Sequence, residues 1–172
     1  MPLPLKTSER AWAILSEVTR TYRGPMHIRD AAVSEAADLT ELQRRASLVW
    51  EEYRDDLLAH PEAIDVPVEM VRSGAVRVAE DGGRVLGFSA VLPGVDGVCE
   101  LDGLFVEPDV MRGGVGRALV EDAVDRLRSA GVERLEVTAN PRALGFYEKV
   151  GFVAVGSADT EFGPGVRMHR EV

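Results

Sequence analysis

Three glycines in a short stretch are the clearest sign of chemistry in this sequence. Gly113, Gly114 and Gly116 lie between an apolar segment typical of a strand and an amphipathic segment typical of a helix. A glycine-rich turn that opens a helix lets several backbone N–H groups point at one spot, and such a spot binds phosphate. Arg112 and Arg117 flank the turn and can pair with phosphate oxygens. The alternative is a tight strand-to-helix connection that binds nothing.

The turn completes neither of the two common nucleotide-binding motifs. Position 119 is leucine where the dinucleotide fingerprint needs its third glycine, and no acidic residue closes a strand about 20 residues later. A Walker A loop needs Gly-Lys followed by Ser or Thr, which this turn lacks. The turn therefore indicates phosphate binding of a different kind.

A second segment, residues 140–152, is typical of a short capped helix that carries a tyrosine. Asn140 precedes Pro141 and is a good N-cap, so capping alone can explain its type. Tyr147 reads either as a half-buried packing residue or as a group that faces a ligand. Gly151 predicts the end of this helix.

The remaining patterns predict the elements that position these two segments. Apolar residues at helical or alternating spacing define each element, and Gly or Pro residues bound most of them. The predicted strands cover 27–29, 75–79, 84–92, 98–106, 134–138, 153–157 and 166–169. The predicted helices cover 8–21, 34–49 (continuing or restarting to 58), 114–130 and 141–150. This order predicts a mixed α/β protein with helices on both sides of one sheet.

Size and composition indicate a single globular domain. The chain has 172 residues, of which 45% are hydrophobic and 28% charged. We expect an N-terminal helical extension over 1–25 and one domain over 26–172. No run is long and apolar enough for a membrane span, and no signal peptide is visible. Cys99 is the only cysteine, which together with these features favours a cytoplasmic protein without membrane attachment.

The charge distribution is uneven along the chain. The net charge of −9 argues against nucleic-acid binding. Between positions 30 and 69 there are eleven acidic residues and three basic ones. This acidic excess is either a solvated helical face or a wall that attracts a cationic amine. The three histidines are scattered and show no spacing typical of a metal site.

Taken together, the two segments resemble the acetyl-CoA site of the GNAT N-acetyltransferases. That family carries a Q/R-x-x-G-x-G/A motif, which is similar to Met111-Arg112-Gly113-Gly114-Val115-Gly116 here. Its downstream Asn…Ala…Phe/Leu-Tyr-Glu-Lys-x-Gly-Phe block is similar to Asn140, Ala143 and 146–152. Met111 departs from the usual Arg or Gln, which implies weaker rather than absent phosphate binding. The resemblance implies a GNAT-type fold, with a central and mostly antiparallel sheet.

The resemblance also implies roles for individual residues. The backbone of Leu104, Phe105 and Val106 would hold the pantetheine arm, and the amides of Arg112, Gly113, Gly114, Val115, Gly116 and Arg117 would hold the pyrophosphate. Asn140 would contact the pantetheine region, and Tyr147 would lie near the sulfur. Glu100 stands where several family members place a general base. Asp102 is two residues further on, so strand alternation would put both acids on one face. The alternative is that both acids simply face solvent.

The implied function is an N-acetyltransferase that moves acetyl from acetyl-CoA to a primary amine by direct attack in a ternary complex. Its acceptor would be a small amine, cationic if the acidic segment steers it, and a homodimer would be usual for the family. The alternative is a non-catalytic acyl-CoA-binding or sensing module of the same fold.

Overall fold

A computed structural model of the chain describes residues 24–172. The helix predicted over 8–21 lies outside these residues. The described part contains seven strands. They are β1 His27–Asp30, β2 Val76–Asp81, β3 Arg84–Pro93, β4 Val98–Val106, β5 Arg134–Ala139, β6 Val153–Thr160 and β7 Gly163–Glu171. All seven predicted strands are present.

Five α-helices accompany the strands within residues 24–172. They are α1 Ala36–Ser47, α2 Glu51–Ala59, α3 Val68–Arg72, α4 Val115–Ser129 and α5 Leu144–Lys149. The helical pattern predicted from 34 to 58 is therefore split, because residues 48–50 leave helical geometry before α2 begins. Helix α3 has no counterpart among the predicted elements.

The strands form one mixed sheet in the order β1-β2-β3-β4-β5-β7-β6. Every neighbouring pair is antiparallel except β4 and β5, which are parallel. The crossover between these two parallel strands is helix α4, as a parallel connection requires. The predicted fold class, a mostly antiparallel sheet with helices on both sides, is confirmed.

Helices cover opposite faces of the sheet. On one face, α1 packs through Leu39 onto Val78 and Phe88. On the other face, α4 packs through Leu119 onto Ala79. Val78 and Ala79 are neighbours in β2, and successive strand residues point to opposite faces. The sheet therefore separates an α1 side from an α4 side.

The last two strands are longer than their sequence pattern predicts. Gly163, Pro164 and Gly165 read as a loop, yet they begin β7 and pair with β6. Proline is tolerated there because β5 reaches β7 only from Val166 onward, so Pro164 has a single neighbouring strand. In residues 24–172, none of the helices combines the length and apolar character needed to cross a membrane.

Candidate active site

A cleft opens between the two parallel strands of the sheet. The ladder between β4 and β5 contains only three pairs, of which the last joins Glu100 to Glu136. Both strands continue beyond that pair, β4 to Val106 and β5 to Ala139. They therefore diverge toward their carboxyl ends and leave a wedge between them. Buried backbone N–H and C=O groups need partners, so the facing edge of β4 suits a ligand that carries amides.

The glycine turn lies at the open end of this wedge, where β4 leads into helix α4. Gly114 is the N-cap of α4 and has a φ of 90°, and it offers no side-chain hydrogen bond to the first turn. Arg112 is also left-handed, with a φ of 64°. The N–H groups that open a helix have no partner within the helix. Since α4 has no acidic residue in its first turn, these groups and the helix dipole are available to an anion.

The first turn of α4 also packs closely against Phe146 of α5 and Val106 of β4. A Cβ atom at Gly116 would meet Cζ of Phe146 in α5 at 3.2 Å and Cγ2 of Val106 in β4 at 3.7 Å. A side chain at Gly116 would therefore require the Phe146 ring to shift by a few tenths of an ångström. No atom beyond its chain neighbours would lie within 4 Å of a Cβ at Gly114. The two glycines thus have separable roles, which sequence spacing alone does not show.

The two arginines beside the turn are exposed but differ in their contacts. Nη2 of Arg117 donates a hydrogen bond to the carbonyl oxygen of Lys149 at 3.2 Å, which ties α4 to the last turn of α5. The Arg112 side chain has no hydrogen-bond or ion-pair partner among residues 24–172. Arg112 is therefore the guanidinium free to approach an anion at this turn.

Asn140 directly follows β5 and acts as the cap that its sequence context predicts. Its Oδ1 accepts a hydrogen bond of 2.9 Å from the backbone N–H of Arg142. The residues after it form a 3₁₀ turn, Pro141–Ala143, before α5 begins at Leu144. Capping uses the carbonyl oxygen of the side chain, so its NH₂ group stays available for a second contact.

Tyr147 is buried in the middle of an aromatic cluster. Its ring makes edge contacts with Phe146 and Phe152, with centroids 5.2 and 5.4 Å away. Burial raises the pKa of the Tyr147 phenol from 10.0 to about 12. The phenol therefore stays protonated at neutral pH and can donate a hydrogen bond or a proton.

A bulge in β4 changes the expected relation between Glu100 and Asp102. The pairing of β4 with β3 shifts between Ala90 and Val91, which leaves Asp102 without a partner residue. Leu101 and Leu104, three positions apart, both contact the same α4-side core. Strand alternation is therefore interrupted between Leu101 and Leu104, so alternation alone no longer assigns Asp102 to the face of Glu100, and their shared face stays a prediction.

Glu100 itself keeps a well-defined position. Its neighbours Cys99 and Leu101 both pack on the α4-side core, so the Glu100 side chain leaves the opposite, α1 side. Both Glu100 and Asp102 are exposed. Glu100 belongs to the last pair before the wedge opens, and that pair places Glu136 of β5 beside it. Sequence reasoning missed Glu136, since nothing in the pattern of β5 shows which residue it pairs with.

The acidic residues between positions 30 and 69 divide into paired and unpaired groups. Five of them form ion pairs with arginines, namely Asp30, Glu35, Glu41, Glu52 and Glu69, and Glu62 contacts the His60 ring. Asp55, Asp56 and Glu51 are exposed on α2 and have no ion-pair partner in the described part of the chain. Within residues 24–172, no three His, Cys, Asp or Glu side chains are placed to hold a metal ion.

Comparison with known sequences finds relatives for the region that contains the site. Residues 36–152 match the sequence model of the acetyltransferase (GNAT) family. The peptidyl-lysine N-acetyltransferase YjaB of Escherichia coli (strain K12) is 41% identical over 61 residues, which are 36% of this chain and 40% of that protein. Serotonin N-acetyltransferase 2, chloroplastic, of Oryza sativa subsp. japonica is 45% identical over 47 residues, 27% of this chain and 24% of that protein. The matches thus span 40% or less of these relatives' own length.

Solved structures share the whole described architecture. PaiA N-acetyltransferase from Thermoplasma acidophilum, in complex with coenzyme A, has a TM-score of 0.70 at 18% identity, covering 86% of this chain and 99% of that one. The GCN5-related N-acetyltransferase from Rhodopseudomonas palustris has a TM-score of 0.71 at 22% identity, covering 85% and 95%. At these identities the likeness concerns the fold. The family match covers most of the chain, and the protein belongs to the acetyltransferase (GNAT) family, whose co-substrate is acetyl-CoA.

Proposed function

We propose that this protein transfers the acetyl group of acetyl-CoA to a primary amine by direct attack in a ternary complex. The observation that carries the proposal is the three-pair ladder between β4 and β5, which opens into a wedge toward the glycine turn. A pantetheine arm carries two amides and fits an unpaired strand edge, while a pyrophosphate fits the uncapped start of α4. One elongated ligand can occupy both places.

The positions of these groups support a specific arrangement of the bound cofactor. The backbone of Leu104, Phe105 and Val106 lines the β4 wall and would hold the pantetheine arm. The amides of residues 112–117 would hold the pyrophosphate, with the free Arg112 guanidinium adding charge. Asn140 directly follows β5, and its side-chain NH₂ group, which capping leaves unused, would contact the pantetheine.

A pair of glycine variants tests the cofactor site. We expect acetyl-CoA at 100 times its dissociation constant to stabilise the wild-type protein by about 2.7 kcal/mol, seen as a higher melting temperature. Gly114→Asp should abolish this shift, because it places a carboxylate at the phosphate position. Gly131→Asp is the matched control: Gly131 follows the other end of α4, has a positive φ of 75° and has the same open space around it. Equal shifts in both variants would place the cofactor elsewhere.

The chemistry requires a neutral amine. An alkylamine has a pKa near 10.4, so at pH 7 supplying the free base costs about 4–5 kcal/mol. The Glu100 carboxylate, at the vertex of the wedge, would accept that proton. The amine nitrogen then attacks the thioester carbon and the C–S bond breaks. The nitrogen loses its second proton and the sulfur takes up one proton, so the proton passes from nitrogen to sulfur directly, through the Tyr147 hydroxyl or through solvent. Cys99 is partly buried in the α4-side core and takes no part.

Three acidic variants test the base. Glu100→Gln should lower turnover about 10²–10⁴-fold near neutral pH and recover partly at high pH, where more free amine exists. Asp102→Asn tests the neighbouring candidate in the bulge. Glu136→Gln is the matched control, since it removes the same charge one strand away on the same pair. A loss confined to Asp102→Asn would exchange the two roles, and equal losses at Glu100 and Glu136 would indicate a surface-charge effect.

The acceptor is proposed to be a small cationic amine. Support comes from the exposed acids of α2 that lack ion-pair partners, among them Asp55 and Asp56. The rate at low acceptor concentration should fall with added salt, because surface attraction is screened over about 10 Å at 0.1 M. Replacing both residues with Asn should blunt this dependence. Neutral or anionic amines that outperform cationic ones at every ionic strength would refute this part of the proposal.

We also propose a domain boundary, an oligomeric state and a cellular location for the protein. The boundary between an extension over 1–25 and a catalytic domain over 26–172, a homodimer and a cytoplasmic location all remain predictions. Sedimentation of the purified protein tests the dimer, and cell fractionation tests the location. Binding of acetyl-CoA without turnover of any amine would favour the non-catalytic alternative.

A further inference from the structure

An ion pair joins helix α2 to the segment that follows β5. The Glu52 carboxylate of α2 contacts the Arg142 guanidinium, which lies in the 3₁₀ turn after Asn140. The two side chains are 36% and 55% exposed. The backbone of Arg142 is fixed independently, since its N–H donates to Asn140. The pair therefore links the start of α2 to the capped 3₁₀ turn that follows β5, at the β5 wall of the wedge.

The first half of α2 is also tied to the end of α1. The Arg54 guanidinium donates two hydrogen bonds, of 2.9 and 3.2 Å, to the carbonyl oxygen of Leu48 at the end of α1. Helix α1 in turn packs on Val78 and Phe88 of β2 and β3. The α1–α2 unit thus reaches on the α1 side from strands β2 and β3 to the residues that follow β5, and so crosses β4 and the wedge beside it.

This crossing lies on the face from which Glu100 projects. The α4 side of the wedge is closed by the first turn of α4, which packs against Phe146. An acceptor must therefore approach from the α1 side, past α2. We propose that Glu52 and Arg142 form a clasp, a positioning pair that holds α2 across the acceptor side of the wedge and sets the affinity for the amine. This inference rests on the proposed acetyl transfer.

The size of the effect follows from the exposure of the pair. Exposed ion pairs are weak, and their loss shifts an equilibrium by about two- to five-fold. Glu52→Gln and Arg142→Gln should each raise KM for the amine by about this factor. KM for acetyl-CoA and the melting temperature should stay at their wild-type values. Added salt should remove the difference between each variant and the wild type, because it screens the pair.

A charge exchange and a matched control complete the kinetic test. The double variant Glu52→Arg with Arg142→Glu restores an opposite-charge pair and should recover most of the lost affinity. Asp125→Asn breaks the exposed pair between Asp125 and Arg128 on α4, whose atoms are 2.9 Å apart and which does not touch the wedge. It should leave both KM values unchanged. Parallel changes in both KM values, or a Glu52→Gln variant that behaves like Asp125→Asn, would overturn the proposal.

Amide hydrogen exchange separates this inference from the proposed function. Glu52→Gln should speed exchange across 51–59, and Asp125→Asn should not. A protein that acetylates no amine, yet shows faster exchange only in Glu52→Gln, would refute the proposed function and keep the structural clasp. Unchanged exchange in an active Glu52→Gln variant with a wild-type KM for the amine would refute the clasp alone.

Discussion

The Tyr147→Phe variant should change how stability depends on alkaline pH. Tyr147 is 8% exposed, and burial raises the pKa of its phenol from 10.0 to about 12. The folded state therefore holds this proton more tightly than the unfolded chain does. The resulting stabilisation is fully present below pH 10, the unfolded-state value, and is lost as the pH rises through the folded-state value near 12.

The magnitude follows from the difference between the two pKa values. Raising the pKa from 10.0 to about 12 corresponds to about 2.7 kcal/mol, at about 1.36 kcal/mol per pH unit. At pH 11, midway between the two values, linkage gives a loss of about 1.4 kcal/mol relative to neutral pH. Phenylalanine has no proton to lose, so the variant should not show this part of the alkaline destabilisation.

Urea unfolding of both proteins at pH 8 and pH 11 measures the effect. The free energy of unfolding of the wild type, minus that of Tyr147→Phe, should fall by about 1.4 kcal/mol between the two pH values. Tyr53→Phe, on the partly exposed Tyr53 of α2, is the control for the removal of a phenol. A difference that stays constant from pH 8 to pH 11 would refute the argument that burial governs this tyrosine.

Three further variants test the packing and charges around the site by the same unfolding measurement. Ser89→Ala should leave the free energy of unfolding unchanged or raise it by up to about 1 kcal/mol, because Oγ of Ser89 is fully buried without a hydrogen-bond partner in the described residues. A large decrease in stability would show that this hydroxyl has a hydrogen-bond partner. Arg45→Met should lower the free energy of unfolding by about 1–3 kcal/mol, because the Glu107 carboxylate, which is poorly exposed, loses the two hydrogen bonds of 2.5 and 3.1 Å that Arg45 donates to it. No change in stability would mean that solvent fully screens this ion pair. Gly145→Ala should stabilise α5 by roughly 0.5–1 kcal/mol, since a Cβ there meets no atom within 4 Å; a loss would reveal a hidden contact.

The elements around the site are readable from local patterns. Val115, Leu119 and Ala123 repeat at helical spacing after the glycine turn, so α4 is predicted within a residue of its observed start. Asn140 precedes proline, and the structure confirms that it caps the following turn. These features depend on neighbours in sequence, which is why the sequence alone predicts them.

The shape of the site depends on pairing that local patterns do not encode. The residues of β5 alternate between exposed and buried through Val137 and Ala139, with no sign that the ladder to β4 stops at Glu136. The bulge at Asp102 is hidden as well, because residues 100–103 still alternate between exposed and buried. The Glu52–Arg142 pair joins elements far apart in sequence. Register and tertiary contacts, rather than propensity, decide all three features.

The central claim is that an acetyl group passes from acetyl-CoA directly to an amine. The most direct measurement follows acetyl-CoA labelled in its acetyl group, incubated with the protein and a panel of small amines, with mass spectrometry of both amine and protein. We expect label on the nitrogen of at least one cationic amine, a strong loss of that product in Glu100→Gln, and no label on the protein when the amine is omitted. Label on no amine, or label bound to Cys99 in the absence of an amine, would contradict it.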